Sequence, residues 1–347
     1  MDIPTPRSLE RTAFPLLEAL CATDSCSGRE AALLPMLMPE LRRLGAEIEV
    51  AEPEPGRVNV LATWGTPRVL FSTHLDTVPP VLTPRWEGDR FVARGACDAK
   101  GQIVAQLGAL ERLRAEGRTG FAWLGVCGEE TDALGARSAL AWADRFQRCR
   151  ALLNGEPTEL RCATGQRGVL HLRLVCSGRA AHSGSPERGR SATLTLLDWL
   201  EALRREPRPE DPHLGPEVWN LGRLQGGGAV NVVPDHAEAE VLVRTVPGST
   251  FKARVEALRP EGGRLEVLLE EPWDHYPALP GFLRAPMPFG SDAPQLRALI
   301  PDRTVVLAGP GSIHTAHTDH ESLSRAELAA GIDLNRRLAL HFLESQP

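Results

Sequence analysis

Short apolar strands separated by helical stretches are the feature that most limits how this chain can fold. Through the first 160 residues, strand-like runs at 58–63, 69–72 and 121–127 alternate with helical stretches such as 103–114. Strands that are apolar on both faces, with helices between them, are typical of a parallel sheet covered by helices on both sides. We therefore expect an α/β domain with a mostly parallel sheet.

A second pattern begins near residue 161. Apolar and polar residues alternate there with a period of two, which predicts a sheet with one solvated face. The strand-like runs are 169–176, 236–243 and, less regularly, 264–270. The helical runs between them are 191–205 and 251–258. This β-α-β-β-α-β order is typical of a ferredoxin-like α+β module.

The first pattern returns after this module, with a buried strand at 304–308 and a closing helix at 325–343. We therefore expect one catalytic domain in two parts, residues 1–160 and 273–347, interrupted by an inserted module at 161–272.

Composition excludes several classes of protein. A chain of 347 residues that is 42% hydrophobic has enough apolar residues to form a folded core. Its net charge of −6 argues against a nucleic-acid scaffold. No run approaches the roughly 20 apolar residues of a membrane helix, and the first residues lack the apolar core of a signal peptide, so we expect a cytoplasmic protein without a membrane partner. The seven cysteines form no CxxC and are expected to be buried small residues.

Acidic and imidazole side chains follow the apolar strands at regular intervals. The stretches that contain them are 72–76, 95–101, 128–130, 154–158 and 309–317. From His74 to Asp98, Glu130 and Glu156 the successive gaps are 24, 32 and 26 residues, about one strand-helix unit each. The gap from Glu156 to His317 is 161 residues and contains the inserted module.

The carboxyl ends of strands in an open α/β sheet form the crevice in which ligands bind. Two imidazoles and three carboxylates at such an edge are a mixed nitrogen and oxygen set that suits zinc, cobalt or manganese. The sequence therefore predicts a metal site formed by loops from several strands.

These residues resemble those of the M20 metallopeptidase and deacylase group, which includes acetylornithine deacetylases, desuccinylases, glutamate-type carboxypeptidases and aminoacylases. The resemblance extends from SCSGRE (25–30) to Glu321. Its most specific motifs are THLDTVP (73–79), ARGACDAKG (93–101), GEE (128–130), NGEPT (154–158), AAHSGSP (180–186), NVVP (231–234) and GPGSIHTAHTDHE (309–321).

The resemblance implies a site with two divalent metal ions, zinc or cobalt, with manganese also possible. His74 and Glu156 would bind one ion, and Glu130 and His317 the other. Asp98 would bridge the two. His314 and His320 lie three residues to either side of His317, which is preferred because AHTxxE matches the family pattern.

Other roles are also implied by the resemblance. Asp76 would orient His74, and Glu129 would be the general base that takes a proton from water and returns it to the leaving amine. On the inserted module, His182 would stabilise the oxyanion, and Asn231 and Arg244 would bind substrate. The alternative interpretations are that His182 only closes a turn and that Arg244 is only a surface charge.

Asp292 has two interpretations that the sequence leaves open. It lies in the segment 289–294, where the family places a loop facing the substrate, and would favour a side-chain ammonium. Alternatively, it caps a helix that begins near Pro294.

The expected reaction is hydrolysis of the amide bond of a small N-acyl amino acid, most like that of an acetylornithine deacetylase. The alternatives are a dipeptidase, carboxypeptidase or desuccinylase of the same fold, or a non-catalytic binding protein. An intact Glu129 favours an enzyme over a binding protein. The resemblance also implies a homodimer formed through the inserted lid module.

Overall fold

The computed structural model of the chain describes residues 6–344, with side chains from residue 13 onward. It separates into two compact units. Unit 1 comprises Met1–Thr164, Tyr276–Ala285 and Ser291–Pro347, and unit 2 comprises Gly165–His275 and Pro286–Gly290. Within the described part of the chain, none of the helices is both long and apolar enough to cross a membrane.

The α-helices, in chain order, are α1 (Pro6–Ala22), α2 (Leu34–Arg43), α3 (Lys100–Ala115), α4 (Leu134–Ser138), α5 (Ala192–Arg205), α6 (Phe251–Ala257), α7 (Ala293–Leu296) and α8 (Arg325–Glu344). Short 3₁₀ helices span Glu30–Leu33, Ala139–Phe146, Pro186–Arg188 and Arg297–Leu299.

The strands, in chain order, are β1 (Glu47–Glu54), β2 (Arg57–Trp64), β3 (Val69–His74), β4 (Arg85–Glu87), β5 (Arg90–Val92), β6 (Phe121–Val126), β7 (Ala151–Asn154), β8 (Cys162–Gln166), β9 (Gly168–Ser177), β10 (Glu210–Asp211), β11 (Gly215–Pro216), β12 (Val218–Gly226), β13 (His236–Thr245), β14 (Gly263–Glu271), β15 (Asp274–His275), β16 (Arg284–Met287), β17 (Thr304–Leu307) and β18 (Ser322–Ser324).

A six-stranded sheet in the order β1-β2-β6-β3-β7-β17 forms the centre of unit 1. The four strands β6, β3, β7 and β17 run parallel to one another, whereas the β1-β2 and β2-β6 pairs are antiparallel. Every residue of β3, β6 and β7 is buried, as expected for strands with helices on both faces. The predicted α/β fold with a mostly parallel sheet is confirmed.

Helix α3 lies inside unit 1 and packs against α1 and α8. It is buried on nearly all sides, which its lack of a polar stripe allows. Because α3 begins directly after Asp98 and Ala99, its burial anchors the chain on one side of a predicted metal ligand.

Unit 2 contains an antiparallel sheet in the order β12-β13-β9-β14, with α5 packed on β13 and β9. Leu172 pairs with Val241 and Leu174 with Ala239, and all four side chains are fully buried. The intervening polar residues point outward, where Arg173 donates to Glu240 at 3.0 Å. The period-two pattern in the sequence therefore corresponds to one apolar face under helix α5.

The element order β9-α5-β12-β13-α6-β14 is the β-α-β-β-α-β order expected for the inserted module. The sequence pattern did not locate β12, because this edge strand is exposed along nearly its whole length and has no apolar period. The unit boundaries lie at 164/165 and 275/276, a few residues from the predicted module boundaries, and residues 286–290 also belong to unit 2.

Candidate metal centre

The predicted metal ligands of unit 1 lie at one edge of its sheet. His74 is the last residue of β3, Glu130 follows the end of β6, and Glu156 follows the end of β7. Because β3, β6 and β7 are parallel neighbours, their carboxyl ends meet at the same edge. The strand topology therefore places one imidazole and two carboxylates side by side.

Asp98 and His317 reach this edge from loops outside the main sheet. Asp98 Oδ1 lies 3.0 Å from His74 Nε2, and Asp98 Oδ2 lies 3.2 Å from His317 Nε2. His317 Nε2 also lies 3.0 Å from Glu130 Oε1. The two oxygens of Asp98 thus face two different histidines, as expected for a carboxylate that bridges two ions.

Among the described residues, three groups of histidine, aspartate and glutamate side chains have possible ligand atoms within 4.8 Å of one another. These groups are His74 with Asp98 and Glu156, Asp98 with Glu130 and His317, and His74 with Glu129 and Glu130. The first two share Asp98 and together contain the five predicted ligands. The third includes Glu129, so that the predicted general base lies against both halves of the centre.

The donor set fits divalent metal ions. Imidazole nitrogens and carboxylate oxygens are the ligands that zinc and similar ions take in proteins. Glu156 Oε1 is buried and has no hydrogen-bond partner among the described residues, which is costly unless a cation lies nearby. His74, Asp98 and Glu156 would hold one ion, and Asp98, Glu130 and His317 the other.

The carboxylates of this centre destabilise one another's charge. Burial, together with the neighbouring carboxylates, raises the pKa of Glu129 and of Glu156 well above the usual range. Burial and the charge of Asp98 likewise raise the pKa of Glu130. Only Asp98 has a lowered pKa: burial opposes its charge, but hydrogen bonds to His317 and His74 outweigh this effect.

The two histidines respond in the opposite sense. Burial disfavours a charged His74, yet its hydrogen bonds with Asp76 and Asp98 raise its pKa well above the usual value. The contacts with Asp98 and Glu130 raise the pKa of His317 to about 10. Both imidazoles therefore stand in a strongly negative field, which is the field that a pair of divalent cations neutralises.

Asp76 has more contacts than its predicted role requires. His74 Nδ1 lies 3.0 Å from the Asp76 carbonyl oxygen and 3.4 Å from its carboxylate. The same carboxylate accepts the backbone N–H groups of Glu129 and Glu130, both at 3.1 Å. Asp76 is fully buried. It therefore positions the loop of the predicted general base as well as the His74 ring.

The structure brings two of the predicted substrate residues together in unit 2. Ser183 N donates to the Asn231 carbonyl at 2.9 Å, and residues His182 and Val232 form a β-bridge. Gly184 N donates to His182 Nδ1 at 3.0 Å, so a neutral His182 has its ring proton on Nε2. The exposed His182 therefore presents an N–H donor. Arg244 lies elsewhere in unit 2, near the end of β13.

The helix-cap interpretation of Asp292 is wrong. Helix α7 begins at Ala293, but the Asp292 side chain makes no capping hydrogen bond. It is instead buried beside the metal centre, where Oδ1 accepts from Asn154 Nδ2 at 3.0 Å. Burial raises the pKa of Asp292 to about 6.

Two buried carboxylates near the centre received no role from the sequence. Glu30 accepts the backbone N–H of Gly128 at 3.1 Å, next to the predicted general base. Glu321 accepts the backbone N–H of Asp98 at 3.1 Å. Glu30 ends the motif SCSGRE and Glu321 ends the motif HTDHE, both of which resemble motifs of the M20 group. Their place in these motifs was the signal in the sequence that pointed to them.

Comparison with known proteins identifies the family of the chain. The sequence profile of peptidase family M20/M25/M40 matches residues 70–341, most of the chain. The chain is a member of the M20 family. A probable carboxypeptidase of Aspergillus terreus is 35% identical over 327 residues, which cover 83% of this chain and 74% of the relative.

Solved M20-type structures share the fold at low sequence identity. The dipeptidase Dug1p of Saccharomyces cerevisiae superposes with a TM-score of 0.77 at 14% identity, covering 99% of this chain and 98% of that one. A dinuclear metal-binding M20 peptidase of Bacillus subtilis superposes with a TM-score of 0.68 at 17% identity, covering 98% and 100%. The M20 family membership makes this chain a hydrolase of the peptidase type.

Replacing Asp98 with alanine should remove both metal ions from the M20 centre. Asp98 belongs to both ligand groups, and its loss leaves Glu130 and Glu156 to repel each other without a shared partner. The measurement is metal content per chain by elemental analysis after dialysis. Asp319→Ala, which removes an exposed carboxylate from the His317 loop, should keep the wild-type content. Two ions per chain in Asp98→Ala would contradict the bridging role.

Proposed function

We propose that this M20 protein is a di-metal peptidase that hydrolyses the amide bond of a dipeptide or of the C-terminal residue of a small peptide. The observation that carries this proposal is the position of Asp98, which faces both His74 and His317 and has Glu129 close by. The carboxypeptidase and dipeptidase among the similar proteins favour this alternative over the acetylornithine deacetylase that the loop motifs suggested.

Glu129 is the proposed general base. Its pKa is raised by burial and by neighbouring carboxylates, which makes it a stronger base than an exposed glutamate. Asp76 holds the backbone N–H of Glu129 and so fixes where the carboxylate points. Divalent ions held by the five candidate ligands would polarise the scissile carbonyl and make a water molecule more acidic. Glu129 would take a proton from the attacking water and pass it to the leaving amine as the C–N bond breaks.

Arg244 and Asn231 are the proposed substrate-binding residues of unit 2. Arginine binds a carboxylate through two parallel hydrogen bonds, so Arg244 suits the free C-terminal carboxylate of a peptide. His182, with its exposed Nε2–H, suits an oxyanion that forms on the scissile carbonyl.

Zinc, cobalt and manganese are all compatible with the ligand set. All seven cysteines are free thiols, which supports a reducing compartment such as the cytoplasm.

A substrate panel tests this function. Zinc-, cobalt- or manganese-loaded protein should cleave dipeptides with a free C-terminus and fail on the same dipeptides with an amidated C-terminus. Glu129→Gln should keep its metal and lose roughly 10²–10⁴-fold in kcat, as expected for a missing general base. Faster hydrolysis of acetylornithine than of every dipeptide would restore the deacetylase interpretation, and a Glu129→Gln variant within tenfold of wild type would rule out the base.

The proposed homodimer is supported by an exposed edge of unit 2. β12 is an edge strand whose outward residues include Leu221 and Leu224, and the latter is 48% exposed. On α5, whose first turn lies beside the end of β12, Leu194 is 63% exposed. An open edge strand with apolar side chains readily pairs with a second copy of itself.

Within unit 2, His182 and Arg244 lie at opposite ends of the sheet. β13 pairs with β9 from His236, opposite Ser177, to Arg244, opposite Val169. Eight residues of strand separate these ends, roughly 26 Å. The His182 loop lies beyond the His236 end, since Val233 N donates to the Ala181 carbonyl at 2.8 Å. Because this separation is longer than a dipeptide, we propose that His182 and Arg244 of one chain serve two different metal centres.

Mixing two inactive variants should therefore restore activity. In the proposed dimer, His182 acts at the metal centre of the partner subunit and Arg244 at that of its own chain. His182→Ala and Glu129→Gln proteins, each inactive alone, should regain up to about a quarter of wild-type activity after subunit exchange, because one site of each mixed dimer is intact. His213→Ala, which removes another exposed histidine of unit 2, is the control and should stay active by itself. Absence of recovery in confirmed mixed dimers would show that His182 acts in its own chain.

Asp292 is the proposed partner of a basic side chain on the substrate. Its Oδ2 is buried and has no hydrogen-bond partner among the described residues. A charge-assisted hydrogen bond is worth about 1.5–3 kcal/mol, so kcat/KM for Ala-Lys should exceed that for Ala-Met by roughly tenfold or more. Asp292→Asn keeps an oxygen for Asn154 and should abolish this preference. Equal selectivity in the two proteins would exclude Asp292 from substrate recognition.

A further inference from the structure

Glu321 is a fully buried carboxylate whose two oxygens are already engaged inside the protein. Oε1 accepts the backbone N–H groups of Cys97 and Asp98, at 3.2 and 3.1 Å. Oε2 accepts from Arg94 Nη1 at 2.7 Å. Neither Glu321 nor Arg94 is more than 2% exposed. With its lone pairs committed to these donors, Glu321 holds the Asp98 backbone rather than an ion.

Arg94 extends this contact to the loop of a second ligand. Its Nη1 also donates to the Thr318 carbonyl at 3.3 Å, and Thr318 is the residue after His317. Its Nε donates to the Pro80 carbonyl at 3.3 Å. The Arg94–Glu321 pair therefore joins the Asp98 loop to the His317 loop within unit 1.

These two loops are the ones that the main sheet does not place. His74 is the last residue of β3, Glu156 lies two residues beyond β7, and Glu130 lies four residues beyond β6, where Asp76 accepts its backbone N–H. Asp98 lies between β5 and α3, and His317 lies in the segment between β17 and β18. A metal ligand must be held within about 0.5 Å of its working position, which needs support from residues around it.

We propose that Glu321, together with Arg94, is a positioning residue that holds Asp98 between the two halves of the metal centre. This inference rests on the proposed di-metal function. Loss of Glu321 would leave every candidate metal ligand in the chain, but Asp98 would no longer be held where it faces both His74 and His317. Loss of a residue that orients a metal ligand typically weakens metal binding by 10–100-fold.

The test measures zinc binding to metal-stripped protein by competition with a chelator. Wild type should bind two zinc ions per chain, and fewer would contradict the proposed function itself. In Glu321→Gln, the single amide oxygen can accept either from Arg94 or from the Cys97 and Asp98 N–H groups, and the N–H₂ repels the donors on the other side. Both zinc affinities should therefore fall by roughly 10–100-fold. Circular dichroism of the metal-free proteins reports separately whether the fold is kept.

Two further variants complete the design. Arg94→Met/Glu321→Gln removes the unpaired buried charge, so it should fold. It should still bind zinc more weakly, because the Arg94 bonds to the Thr318 and Pro80 carbonyls are lost and a neutral amide holds the Cys97 and Asp98 N–H groups less strongly than a carboxylate. Glu327→Gln is the matched control: Glu327 is partly exposed, accepts from Ser324 N as a helix cap, and should keep wild-type affinities. If the folded double variant binds both zinc ions within twofold of wild type, or if Glu321→Gln lowers only thermal stability, Glu321 has a structural role and the inference is wrong.

Discussion

The contact of one carboxylate with two histidines determines the rest of the metal centre. Asp98 presents one oxygen to His74 and the other to His317, which come from opposite ends of the catalytic unit's sequence. Asp98 keeps both contacts only while its backbone is fixed, because a small rotation of the carboxylate would break one of them. The remaining ligands, Glu130 and Glu156, then complete the two halves on either side of it. The high density of negative charge that results is tolerable because divalent cations fit the same positions.

Buried carboxylates that bind no ion hold the ligand loops in place. Asp76 accepts the N–H groups of Glu129 and Glu130, Glu30 accepts that of Gly128, and Glu321 accepts those of Cys97 and Asp98. Backbone groups in loops have no ladder partner, and leaving them buried without an acceptor is costly. Acidic side chains are strong acceptors that also take two donors at once. Buried aspartates and glutamates thus serve as candidate metal ligands, as the proposed base or as acceptors for loop backbone N–H groups. The partners around each side chain decide which of these roles it has.

Unit 2 places its functional side chains by a different rule. An antiparallel ladder keeps Arg244 at one end of β13, while the His182 loop continues from the other end. Because a strand is stiff and each residue advances the chain by about 3.3 Å, the two residues cannot converge on one small substrate. The exposed edge strand β12 and the apolar face of α5 lie on the same unit and suit a second copy of the chain. In the proposed dimer, catalysis and self-association would therefore be coupled through the length of one strand.

The sequence by itself determined the α/β class and the element order of the inserted β-α-β-β-α-β module, and it supplied the candidate residues of the metal centre. The class follows from local rules: apolar strands between helices imply a parallel sheet, and the ends of parallel strands share an edge, so His74, Glu130 and Glu156 were expected to lie close together. The full set of candidate ligands, including the choice of His317, came from the resemblance to the M20 group. Only the tertiary structure decided what depends on long-range contact. It located β12, an exposed edge strand without an apolar period, and it turned Asp292 away from the helix it was able to cap. It also joined Glu321 to the backbone of Asp98, more than two hundred residues away. No local pattern encodes such a pairing, because a buried carboxylate and a solvated one look alike in sequence until the fold supplies their donors.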